Sequence, residues 1–130
     1  GFKVIPNIIG MVNVINTTSP KYVEEELEQL IFQYNSKKNI TLEDIIDFHY
    51  RFECIHPFAD GNGRVGRMIM FKECLKNNIM PFIILDEDKS YYMRGLKEYK
   101  KDKAFLIDTV KHEQDLYENV CKNLLNFEIK

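Results

Sequence analysis

A histidine, an aspartate, a Gly-Asn-Gly step and two arginines fall within twelve residues: His56-Pro57-Phe58-Ala59-Asp60-Gly61-Asn62-Gly63-Arg64-Val65-Gly66-Arg67. These types at this spacing suit chemistry on a polyphosphate. Asp60 to Gly63 stands just ahead of a helical pattern, so its backbone N–H groups become the unpaired donors of a helix N-terminus, and with the helix dipole they form an anion site. The two glycines of the step let a phosphate approach the backbone and allow positive φ. Arg64 and Arg67, three apart, project from one face of the first helical turns, and guanidinium groups bind phosphate in bidentate fashion. Asp60 is a hard oxygen ligand suited to magnesium, which takes one or two carboxylates and completes its shell with phosphate and water. His56, with an ordinary pKa near ~6.5, accepts a proton at neutral pH. The sum is a base beside a metal–polyphosphate site.

The elements that must position this stretch are helical. Ser19-Pro20 opens a first helix, with Ser19 as N-cap, Glu24, Glu25 and Glu26 in its early turns, and a buried stripe of Tyr22, Val23, Leu27, Leu30, Ile31 and Tyr34. Thr41 caps a second, whose apolar positions Leu42, Ile45, Ile46, Phe48, Phe52 and Ile55 cover so much of its surface that it should lie centrally. Pro57 should end it by holding His56 extended. A third helix over 63–77 offers Val65, Met68, Ile69 and Leu75 to the core and stops at Asn77-Asn78. The run Phe82-Ile83-Ile84-Leu85 is extended or a buried turn. Tyr91, Tyr92, Leu96 and Tyr99 pattern a fourth helix. Asp102 caps a fifth with Leu106, Val110, Tyr117, Val120, Cys121 and Leu124 along one stripe. Residues 4–15, rich in Val, Ile and Asn, predict extended chain or a β-hairpin, with Pro6 at an edge. The fold class is therefore mainly α with a small N-terminal β-hairpin, in one domain over residues 1–130.

The stretch over 56–67 resembles, residue for residue, the motif of Fic domains, H-x-F-x-[DE]-G-N-G-R-x-x-R, at His56, Phe58, Asp60, Gly61, Asn62, Gly63, Arg64 and Arg67. The wider likeness runs from about Val4 to Leu125, with His49, Phe52 and Ile55 on the approach. The resemblance implies a Fic-type helical bundle and a protein adenylyltransferase that moves AMP from ATP to a Ser, Thr or Tyr hydroxyl of a target protein, releasing pyrophosphate. It makes His56 the base and Asp60 the Mg²⁺ ligand. Gly61, Asn62 and Gly63 cradle the phosphates, Asn62 at the α-phosphate, with Arg64 at the β- and Arg67 at the γ-phosphate. Tyr91 and Tyr92 fall near the nucleotide base. The hairpin becomes a flap whose Val12, Asn13 and Val14 hold the target by β-augmentation. Alternatives are a transferase of phosphate or phosphocholine on the same scaffold, or a non-catalytic nucleotide-binding module. The Doc branch, a kinase, departs from the motif where this chain has Gly63-Arg64.

Many Fic proteins are inhibited by a helix with [ST]-x-x-x-E-[GN], whose glutamate pairs with the second motif arginine. Only Thr109 to Gln114 approaches it here; Gln114 breaks it, and its place in the last helix reads as ordinary helix surface. The inhibitory helix or antitoxin then lies upstream of Gly1, comes as a separate protein, or is absent.

Composition sets the remaining bounds. A net charge of −2 over 130 residues gives no footprint for nucleic acid. Three scattered cysteines, Cys54, Cys74 and Cys121, favour reduced thiols in a cytoplasmic setting, whether the cell's own or a host cytosol reached as an effector. No signal-peptide layout or membrane-spanning run is present. His49 reads as a satisfied core histidine. His49, Cys54 and His56 lack a fourth ligand for structural zinc.

Overall fold

A computed structural model of the chain describes Phe2 and residues 17–129, the last three by backbone alone. The described residues are mainly helical: α1 (Val23–Asn35), α2 (Leu42–Ile55), α3 (Asn62–Lys76), α4 (Lys89–Glu98) and α5 (Ala104–Ile129). Short 3₁₀ turns over Pro20–Tyr22 and Asp86–Asp88 lead into α1 and α4. Among the described residues no strand forms. One isolated antiparallel bridge joins Phe2 to Phe58 of the motif loop. The hairpin expected over 4–15, with Val12, Asn13 and Val14, lies outside the described residues.

Helix starts follow their caps. Thr41 Oγ1 accepts from Asp44 N–H at 3.2 Å while Asp44 Oδ2 accepts from Thr41 N–H at 3.0 Å, a reciprocal box that fixes the start of α2. Asp102 Oδ1 accepts from Ala104 N–H at 2.9 Å at the start of α5. Ser19 makes no side-chain cap, and the chain enters α1 through the 3₁₀ turn instead. Asn78 adopts φ 58° and ends α3.

The central place of α2 follows from the two clusters it feeds. Ile45 and Ile46 join Met70, Cys74, Phe82, Tyr92, Leu96, Tyr99, Leu106 and Val110 on one side. Phe52 and Ile55 join Val23 and Leu30 of α1 on the other, with Phe58, Val65 and Ile69 packed against them. Tyr34 O–H donates to Glu73 at 2.8 Å and ties α1 to α3. α4 and α5 pack as a pair, with Gly95 against the Leu106 backbone. A Cβ at Gly95 would meet Leu106 Cα at 2.8 Å, so this crossing needs glycine.

Several expected core positions are solvent-facing. Met68 is 70% exposed and Leu75 56%. The buried face of α3 runs at four-residue steps through Asn62, Gly66, Met70 and Cys74, and that register turns Met68 and Leu75 outward. Tyr22, Ile31, Val120 and Leu124 are likewise exposed. His56 is not extended: its φ of 50° and ψ of 61° are left-handed. The proline after it excludes the right-handed helix. The left-handed cap satisfies that restriction while His56 N–H still bonds Phe52 O at 2.9 Å.

Glu113, expected on helix surface, is 1% exposed. Burial, and then the neighbouring Asp88 carboxyl, push its pKa up to about 7. Glu87 also faces it, and His112 lies 3.9 Å from Asp88. A carboxyl whose folded pKa is raised contributes its stability in full below its unfolded value and loses it as pH rises through the folded one. Glu113→Gln, which keeps the shape without the charge, is therefore expected to raise Tm at pH 8 by about 3–8 °C and to change it little at pH 4. Thermal melts at the two pH values check this.

Candidate active site

The motif loop joins α2 to α3, and its shape is set by one buried side chain. Asn62 Oδ1 accepts from Phe58 N–H and Asn62 Nδ2 donates to Phe58 O, both at 2.8 Å. The amide thus clamps the loop. Phe58 packs between Phe52 and Phe2, with ring centroids 6.4 and 6.1 Å away. Gly61 takes φ 79°, a conformation that strains any residue with a Cβ, and it starts α3 without a side-chain cap. The first N–H groups of α3 therefore point at the site unsatisfied by any capping side chain.

Both arginines curl back over this terminus, as side chains on a helix lean toward its start. Arg64 Nη2 lies 3.4 Å from where a Cβ on Gly61 would stand, and Arg67 Nη1 lies 2.8 Å from the corresponding point on Gly63. A Cβ at Gly63 would collide with the Arg67 fork. Asp60 is exposed, and its Oδ1 accepts from Gly61 N–H at 2.8 Å, which orients the carboxylate. His56 is half-buried at the end of α2, on the loop that carries Asp60 to the start of α3. A left-handed backbone at a residue other than glycine costs roughly 1–2 kcal/mol, strain of the kind found at functional positions.

Beneath Arg67 lies a buried layer. Its guanidinium sits 5.8 Å from the Tyr92 ring centre. Tyr92, 2% exposed, places its hydroxyl 2.6 Å from His49 Nε2. Burial pushes the His49 pKa down to about 3 and the Tyr92 phenol upward, so the pair is a neutral hydrogen bond. His49 is a core histidine as expected, with Nε2 paired to Tyr92 and Nδ1 buried with no partner in hydrogen-bond range among the described residues. Glu53, one turn on from His49, is buried too, its Oε1 3.9 Å from His49 Nε2. The two tyrosines part company here: Tyr92 supports Arg67, whereas Tyr91 is exposed in a separate depression with Asp88, Asp108, Thr109 and His112. A cavity of about 430 Å³ opens beside Arg64 and Arg67, walled by Met68, Phe71, Phe82 and Ile83 among others. Sequence reasoning missed Glu53. Its signal was an acid four residues after a histidine on the most apolar helix.

Residues 13–74 match the profile of the Fic/DOC family. The chain belongs to the Fic/DOC family. It is 31% identical over 81 residues to the protein adenylyltransferase fic-1 of Caenorhabditis elegans, covering 60% of this chain and 16% of that protein. To a probable protein adenylyltransferase of Aquifex aeolicus it is 32% identical over 91 residues, 68% of this chain and 28% of that protein. The chain thus spans less than a third of the length of either relative. The crystal structure of a Fic domain-containing signaling protein from Bacteroides thetaiotaomicron superposes with a TM-score of 0.70 at 25% identity, over 89% of this chain and 50% of that one. Among the described residues of this Fic chain, no helix is long and apolar enough to cross a membrane. Among the described residues no cluster of three or more His, Cys, Asp or Glu side chains is placed to hold a metal alone, and the three cysteines are free thiols.

Proposed function

We propose that this Fic domain, residues 1–130, is a protein adenylyltransferase that transfers AMP from ATP to a Ser, Thr or Tyr hydroxyl of a target protein. The observation that carries the reading is the uncapped N-terminus of α3 with two guanidinium groups folded over it, reached by a loop that carries His56 and Asp60. The relatives named as adenylyltransferases support it. In the proposed reaction His56 takes the hydroxyl proton, the hydroxyl oxygen bonds to the α-phosphorus, and the bond to the bridging oxygen breaks to release pyrophosphate. The α3 N–H groups and Arg64 hold the phosphates in line, and Arg67 takes the γ-phosphate. Catalysis then rests on positioning and on stabilising charge.

The donor set fits magnesium held jointly with the nucleotide. Asp60 is a single exposed carboxylate with one oxygen oriented by Gly61, and Mg²⁺ is commonly bound by one or two carboxylates plus phosphates. A bound magnesium ion supplies charge neutralisation of the α- and β-phosphates. Val12 to Val14 are proposed to dock the target strand. An inhibitory helix from outside the chain finds an acid-binding partner in Arg67 and apolar walls in the adjoining cavity.

Incubation with ATP labelled at the α- or the γ-phosphate tests the reading. Transfer of the α-label alone to protein is the expected result. Transfer of the γ-label means a kinase, and binding with no transfer of either means a non-catalytic module.

A further inference from the structure

Glu53 has no place in the reaction as proposed, yet it is buried directly behind the site. α2 presents His49 and Glu53 one turn apart on its face toward α3. The Glu53 side chain is 5% exposed, and its Oε1 has no hydrogen-bond partner. Gly66 of α3 lies against both. A Cβ there would stand 2.5 Å from Glu53 Oε1 and 3.1 Å from the His49 ring. Only glycine at this position lets a carboxyl press against α3.

A buried carboxylate without a partner is costly unless a nearby charge balances it. Among the described residues the groups that face Glu53 are few. His49 on its own helix is held neutral, and burial raises the adjacent Cys54 thiol, so it too is neutral. Tyr92 from α4 is a neutral phenol. Arg67 of α3 is the remaining charged group acting on it. Burial pushes the Glu53 pKa up to about 7, and Arg67 pulls against that rise. No carboxylate of the described residues forms an ion pair with Arg67. Glu53 thus attracts the guanidinium without forming an ion pair with it.

We propose that Glu53 is a positioning residue: its buried carboxylate is the counter-charge that keeps Arg67 seated over the Tyr92 ring, facing the anion site, and so sets the affinity for a ligand's terminal phosphate. The inference rests on the reading of Arg67 as the γ-phosphate contact. It also makes that affinity depend on pH. When Glu53 is protonated the seat loses its charge; when ionised, the seat holds. Affinity for ATP therefore rises as pH passes upward through the Glu53 transition, whereas affinity for AMP, which does not reach Arg67, shows no such rise.

The test uses wild type and Glu53→Gln, titrated calorimetrically with ATP and with AMP between pH 6 and 8.5. The same ligands enter both proteins, so their own ionisation cancels in the ratio of affinities. At pH 8 Glu53→Gln is expected to bind ATP about 5- to 20-fold more weakly than wild type. The two proteins converge toward pH 6, and AMP binding is unchanged. The Arg67 side-chain Nε–H resonance, followed by NMR without ligand, is expected to shift through neutral pH in wild type and to stay flat in the variant. Glu53→Asp, which keeps the charge, restores part of both effects. Equal loss for ATP and AMP marks Glu53 as a packing residue and overturns the proposal, as does a variant with wild-type ATP affinity and pH profile. Should Glu53→Gln fail to fold, a wild-type Arg67 resonance that does not move between pH 6 and 8.5 overturns it equally. An Arg67 resonance that titrates with Glu53 in a protein whose ATP affinity ignores Arg67→Ala keeps the seat and removes the phosphate assignment.

Discussion

His56→Ala is expected to bind ATP as tightly as the wild type and to transfer AMP about 10²–10⁴-fold more slowly. A target hydroxyl is a poor nucleophile at neutral pH and gains from a base placed beside it. The proposed roles separate that task from binding. The proposed anion site consists of the start of α3, Arg64 and Arg67, groups that the substitution leaves in the chain. The backbone at 56 is left-handed, so loss of the side chain must not be confused with loss of the turn. His56→Asn supplies the control, since asparagine tolerates this conformation better than alanine. Both variants are expected to keep the fold and lose transfer. Asp60→Ala behaves differently: its ATP affinity no longer responds to added magnesium, which calorimetry with and without the ion reads directly. Wild-type transfer by folded His56→Ala would place the base elsewhere and end the mechanism.

The parts of this molecule that local chemistry dictates were legible. The cap at Thr41, the cap at Asp102, the stop at Asn78 and the apolar density that makes α2 central are each decided within one turn of helix. What escaped is decided between helices. The inner face of α3 is made of Asn62, Gly66, Met70 and Cys74, residues that a hydrophobic pattern does not mark, so the pattern pointed instead to Met68 and Leu75. Glu53 and Glu113 look like solvated helix charges. They are buried because α3 and α4 cover the one, and the turn bearing Asp88 covers the other.

The site divides along the same line. The motif sets the proposed donors close together in sequence, where their spacing carries the chemistry assigned to them. It could not tell that Asn62 spends its amide on Phe58, that Tyr91 and Tyr92 face different surroundings, or that His49 and Tyr92 join beneath Arg67. Each depends on contacts 4 to 43 residues apart in sequence. The left-handed His56 escaped for a related reason. The residue before proline is pushed toward extended backbone, and here the need to keep its N–H on Phe52 while turning toward α3 overrides that preference.

Arg67→Ala is expected to weaken ATP binding about 10- to 100-fold, the worth of a charge-assisted contact to phosphate, and to leave AMP binding unchanged. The geometry supplies the reasons. Arg67 folds back over Gly63, its plane is backed by the Tyr92 ring, and no carboxylate of the described residues occupies its fork. The charge is therefore held ready for a ligand rather than consumed within the fold. Removing it leaves the Tyr92–His49 hydrogen bond and the Asn62 clamp in place, so the platform and the loop survive the substitution. Arg64 approaches the same helix start from over Gly61 and is assigned the β-phosphate. Arg64→Ala should accordingly weaken ADP and ATP alike, whereas Arg67→Ala should reduce ATP to the affinity of ADP. Calorimetric titration of both variants with AMP, ADP and ATP orders the three phosphates along the helix start. If Arg67→Ala loses AMP as steeply as ATP, the guanidinium is holding the loop rather than the terminal phosphate, and the order of contacts proposed here is wrong.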